Sequence, residues 1–141
     1  MANTQAISGV MKQAALGAVV DGKTLKAALY LTSATTNGTN TVYTSTGELA
    51  ASGNYTAGGA SVTNANTAGL TSTTAYWTPS ASITWAALTS SGAFDAVMIY
   101  STTDTNRNLG VFTFGSQSIT AGTLTLTMPT NDATTGLIRF A

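Results

Sequence analysis

The chain has 141 residues, the length of a single domain, which buries about two-thirds of the surface its unfolded form exposes. Hydrophobic residues make up 43% of it but charged ones only 7%, five basic and five acidic with a net charge of zero, where about 25% is usual. These figures exclude disorder driven by charge and nucleic-acid binding by phosphate neutralisation, since Lys12, Lys23, Lys26, Arg107 and Arg139 form no run; the lack of cysteine and histidine excludes thiolate and common zinc chemistry.

From Thr4 to about Val19, the residues Ile7, Val10, Met11 and Ala14 recur at helical spacing, with Thr4 placed to cap and Gly17 near the end. A helix this short needs outside packing to persist. It either plugs one end of the domain or docks its apolar stripe on a partner. After Lys23 the pattern turns to β. Leu25 to Thr32 alternates, with Leu25, Ala27, Leu29 and Leu31 on one face and Tyr30 on the other. A polar stretch with the turn signal Asn37-Gly38 follows. Thr41 to Thr46, carrying Val42 and Tyr43, reads as an edge strand. Asn54 to Asn64 places Tyr55 and Val62 around Gly58-Gly59, Leu70 to Trp77 stops before Pro79, and Ser82 to Leu88 puts Ile83 and Trp85 inward.

Phe94 to Tyr100 is the clearest strand. Ala96-Val97-Met98-Ile99-Tyr100 is apolar throughout, as in a strand covered on both faces. Leu109 to Phe114 puts Phe112 and Phe114 on one face. Thr123 to Met128 alternates, with Leu124, Leu126 and Met128 inward and the threonines outward, and Pro129 ends it. Leu137 to Phe140 closes the chain with Ile138 and Phe140 inward. Eight or nine short strands behind one helix predict a mainly β, single-domain fold over residues 1–141, an antiparallel two-sheet sandwich or a barrel. Its helix or arm covers 1–20 and its sandwich 25–141. The 29 threonines and 13 serines fit this, because a β-branched hydroxyl suits the wet face of a strand without bringing charge.

Nothing in the spacing assembles a catalytic group. Asp21, Glu48, Asp95, Asp104 and Asp132 stand apart near turns and strand ends, where lone acids usually cap turns. A serine or threonine nucleophile would have no histidine base. Asp104-Thr105-Asn106-Arg107-Asn108 resembles the start of a calcium loop, but Leu109 stands where the turn glycine belongs and Gly115 where the bidentate glutamate would be. No glycine-rich loop opens a helix as a phosphate cradle does. Trp85 reads as core, while Trp77, next to Pro79, is the better candidate for an exposed contact. No enzyme activity, cofactor or metal is expected. The start lacks a basic n-region and no run approaches the roughly 18 apolar residues of a membrane helix. Neither a secretory signal nor a membrane span is therefore expected.

The succession of segments resembles a group of small virion proteins of tailed bacteriophages. The resemblance is carried by the short leading helix, the strand Ala27-Ala28-Leu29-Tyr30-Leu31-Thr32 and the loop Gly53-Asn54-Tyr55-Thr56-Ala57-Gly58-Gly59. The tryptophan segment Trp77 to Trp85, the strand Phe94-Asp95-Ala96-Val97-Met98-Ile99-Tyr100 and the closing Gly122-Thr123-Leu124-Thr125-Leu126 continue it. It runs over most of the chain in low-complexity β-patterns, and departs from the group where Asn54 splits the Gly-Tyr element. The resemblance implies a capsid cement or decoration protein with a jelly-roll-like β-sandwich fold, assembled in the host cytoplasm onto the capsid exterior of the virion. Its partner would be the major capsid protein, with no nucleic acid and no membrane. Zero net charge removes the self-repulsion that keeps copies apart, and a homo-oligomer, dimer or trimer, would add avidity on a lattice. Ile7, Val10, Met11, Tyr43, Tyr55 and Trp77 are the residues expected at interfaces. The alternatives are a head-fibre or tail-associated module, and a carbohydrate-binding, adhesin-like domain that stacks its aromatics on sugars.

Overall fold

The computed structural model describes residues 3–141. One helix, α1 (Gly9–Val20), precedes nine strands: β1 (Leu25–Leu31), β2 (Ala60–Val62), β3 (Gly69–Thr71), β4 (Thr74–Trp77), β5 (Ile83–Leu88), β6 (Phe94–Ser101), β7 (Arg107–Gln117), β8 (Gly122–Leu126) and β9 (Ile138–Phe140). They form three antiparallel sheets ordered β2-β1-β6-β7, β3-β4-β9 and β5-β8. The protein is mainly β, as the strand rhythm predicts. Three antiparallel sheets and one short helix are consistent with a single-domain β-sandwich.

The central pair is β1 with β6, in register from Leu25 opposite Ser101 to Tyr30 opposite Ala96. Both strands are apolar on both faces, and alternation sends their side chains to two places. Leu25, Ala27, Leu29, Val97 and Ile99 enter the main core. There they meet Leu16 and Val20 of α1, Trp77 of β4, Trp85 and Leu88 of β5 and Leu124 of β8. Ala28, Tyr30, Ala96, Met98 and Tyr100 face the other way and form a second, smaller cluster. Covering a Leu, Ile or Phe fully contributes about 1.5–3 kcal/mol, so the main core carries most of the burial.

The helix differs from its predicted course. It begins at Gly9 rather than Thr4, with Ser8 as its N-cap and no side-chain capping bond, and it runs past Gly17 to Val20. Docking decides this. A side chain at Gly9 would press within 2.9 Å of the Ser72 carbonyl, so glycine lets the first turn lie on the β3–β4 turn. Lys12 Nζ donates to Thr73 O at 3.2 Å and Gln13 Nε2 to Ala68 O at 2.9 Å. Leu16 and Val20 are buried one and two turns on. The inward face is therefore the one marked by residues 9, 13, 16 and 20. The stripe of Val10, Met11 and Ala14 faces solvent, and Ile7 precedes the helix.

Three strand readings also change. Leu70 to Trp77 is not one strand but a hairpin of β3 and β4, turned at Ser72, whose φ is 56°. Residues 41–46 make no strand; Val42 forms one isolated bridge to Arg107. Phe140 is 41% exposed, not inward, although Ile138 packs against the core.

Candidate functional site

Two places gather side chains that sequence patterns leave apart. The first lies over the Tyr30 face of the central sheet. Residues 47–49 run antiparallel to β1: Leu31 N–H donates to Gly47 O and Leu49 N–H to Leu29 O, both at 2.9 Å. This sets Glu48, the chain's single glutamate, opposite Tyr30 and 8% exposed. Its carboxylate accepts Tyr43 Oη–H at 2.5 Å on Oε2, and both Tyr55 Oη–H and Gly58 N–H at 2.7 Å on Oε1. Tyr55 Oη in turn accepts Leu29 N–H at 3.0 Å. Tyr100 donates to Gly58 O at 2.7 Å and Tyr30 to Thr44 O at 2.5 Å, and the Tyr43 and Tyr100 rings stack with centroids 4.7 Å apart.

Burial first, and the Glu48 carboxylate second, push all four phenols upward, Tyr30 to about 12. At neutral pH they are hydrogen-bond donors, neither bases nor nucleophiles. A buried carboxylate surrounded by donors is stabilised by charge-assisted bonds. The arrangement fastens the irregular segment between β1 and β2 onto the sheet. Gly59, at φ 79°, completes it: a side chain there would overlap the Ala27 carbonyl.

The second place is the outer face of α1. Among the described residues five large hydrophobic side chains are well exposed, and three of them are Ile7 (60%), Val10 (67%) and Met11 (59%). Single exposed apolar residues are ordinary, but a contiguous group marks an interaction surface. Val10 and Ala14 line a shallow groove with Gly17, Ala18 and Ala68, bordered by Asp21 and Gln13.

The six residues expected at interfaces thus divide. Ile7, Val10 and Met11 are available to a partner. Tyr43 is half-buried and held by Glu48 and Tyr100. Tyr55, 2% exposed, and Trp77, fully buried, are corrected to interior residues. Tyr55 is drawn in by its bonds to Glu48 and Leu29. Trp77 lies on β4, which is paired on both sides, and its indole N–H reaches Asn64 Oδ1 at 3.2 Å. The Glu48 cluster itself is missed by sequence reading, and its one signal is a lone glutamate between Gly47 and Leu49.

The calcium-like string forms the β6–β7 turn. Thr105 and Asn106 take φ of 57° and 59°, and Asp104 binds Lys23 Nζ at 3.0 Å. Among the described residues no three acidic, histidine or cysteine side chains converge, and no helix is long and apolar enough to cross a membrane. No protein-family model matches the chain, and no curated protein and no solved structure matches it.

Proposed function

We propose that this protein is a structural virion component, a cement or decoration protein that binds the outer surface of a phage major capsid protein shell. The observation that supports this reading is the solvent-facing group Ile7, Val10 and Met11 on and beside α1. The helix is already anchored through its opposite face, so this group is not required by the protein's own core. Burying each of these side chains contributes about 1.5–3 kcal/mol. A homo-oligomer that engages neighbouring lattice sites at once turns such modest contacts into firm attachment. The sugar-binding alternative has less behind it, because Trp77 and Trp85 are both buried and offer no ring face for stacking.

The test is occupancy of purified shells by the protein and by its Val10→Asp/Met11→Asp variant. The proposal expects wild-type protein spread over the shell at lattice stoichiometry, and at least about a tenfold loss of affinity in the variant. Undiminished occupancy by the variant, or confinement of the protein to one vertex, overturns it; the latter outcome favours a head-fibre or tail-associated module.

A further inference from the structure

The two layers of the sandwich are unequal. The β6–β7 half of the larger sheet faces the two-stranded β5–β8 sheet across an apolar cleft of about 390 Å³. Its walls include Val97 on β6, Phe112 and Phe114 on β7, and Leu126, Met128 and Leu137 opposite. Both strands at the side of this cleft are edges. β7 pairs with β6 alone; its outer side is bridged at Arg107 by Val42 and, among the described residues, makes no backbone pairing from Leu109 onward. β8 pairs with β5 alone.

Natural edge strands are usually blunted by lysine, proline or inward charge. Here residues 108–131 contain no charged side chain, and the one proline of that stretch, Pro129, follows β8. Neither edge is defended by charge, and the register shifts in the β5–β8 and β6–β7 pairings are their only interruptions among the described residues. The layer opposite β7 lacks a third strand beside β8, and the strand that would fit must alternate apolar and polar residues. β8 has that form: Leu124 is buried, Leu126 and Met128 continue its face, and Thr123, Thr125 and Thr127 are exposed.

The geometry points to a second copy of this chain as the occupant, added edge to edge through β8 about a two-fold axis so that β5-β8 of one copy continues into β8-β5 of the other. In a two-fold interface a surface meets its own image, so any charged residue near the axis is brought close to its duplicate. Charge complementarity therefore favours an uncharged edge, and β8 is one, lying within an uncharged stretch of 24 residues. The antiparallel register that keeps Leu124, Leu126 and Met128 on the inner face extends the apolar floor across the cleft of each copy. Phe112 and Phe114 gain the cover that their own chain does not supply. The inference is independent of the shell-binding proposal, since it concerns a different surface and needs no shell.

The experiment is mass measurement by light scattering from low to high micromolar concentration, with hydrogen exchange followed along β7 and β8. A dimer is expected, with β8 amides gaining protection as concentration rises and β7 amides unchanged. Thr125→Lys/Thr127→Lys places like charges across the axis on an exposed face and should weaken the dimer by about tenfold or more. Thr125→Gln/Thr127→Gln, of similar size without charge, should leave it unchanged, and both variants should keep the monomer's melting temperature. A monomer at every concentration overturns the inference, as does a dimer that the lysine pair leaves intact. Edge amides that become protected only when shells are added also overturn it, in favour of a strand from another protein. Val10→Asp/Met11→Asp leaves this dimer unchanged, so failure on the shell and failure here read out separately.

Discussion

The two faces of the β1–β6 pair come from the same strands, yet they are held by different physics. One face is aliphatic and aromatic, closed by the helix and the smaller sheets, and gains its stability from area removed from water. The other is covered by an irregular segment, which also sends Leu49 and Tyr55 into the main core. It is fixed by one carboxylate that collects two phenols and a backbone amide. The difference shows how a chain with ten charges can cover a sheet without adding strands: a single buried charge organises the cover, provided every donor around it is used. Packing tolerates small rearrangements, whereas a hydrogen-bonded hub fails when its centre is removed.

Substitutions can separate the two regimes. The largest effect is expected at Trp77→Ala, which empties the aliphatic side and should lower unfolding free energy by about 3–5 kcal/mol in urea titrations. Next comes Glu48→Ala, which strands the Tyr43, Tyr55 and Gly58 donors; a loss of about 3 kcal/mol is expected, with protease cleavage appearing in residues 33–59. A loss under about half a kcal/mol would show that the hub does not hold the segment. Tyr55→Phe, which removes one bond to Glu48 and one from Leu29, should cost about 1–2 kcal/mol.

Alkali offers a graded test of the same side. The four phenols titrate higher in the folded protein than in the unfolded chain, whose tyrosines ionise near pH 10. Their stabilisation is complete below about pH 10 and is lost as pH rises through the folded values, about 12 for Tyr30. Melting temperature should therefore fall progressively above about pH 10. A flat profile to about pH 12 would mean that the phenols are not held protonated by the fold. The smallest effect belongs outside both faces: Val10→Asp/Met11→Asp should change stability by less than about 0.5 kcal/mol, because those side chains touch solvent.

The aliphatic side was the legible one. The unbroken apolar run of β6 and the Leu124-Leu126-Met128 alternation carry their burial in their spacing, and Trp85 is inward as its neighbours suggest. The hydroxyl-rich turn at Ser72-Thr73 gives no glycine or proline signal, so β3 and β4 read as one strand. Pro79 after Trp77 marks the end of a strand but not the direction of its last side chain, which is inward. The hub was invisible for a different reason. Positions 30, 43, 48, 55 and 100 share no period, and only the pairing of residues 47–49 with β1 and of β1 with β6 brings them together. Ile7, Val10 and Met11 stand out by helical spacing in the sequence, although that spacing does not say which face of α1 the core claims.

The pairing of β1 with β6 also has a consequence in time. Leu25 meets Ser101 and Leu31 meets Phe94, so the strand that both clusters depend on is synthesised long before its principal partner. Non-local pairing of this kind places the domain among slow folders. Until β6 leaves the ribosome, β1 has only residues 47–49 and β2 to pair with, both on one edge, and its two apolar faces are open to whatever is nearby. Folding in the cell therefore hinges on how quickly the chain is completed past Ser101, and a pause in translation between β2 and β6 should raise the aggregated fraction more than one placed after β7.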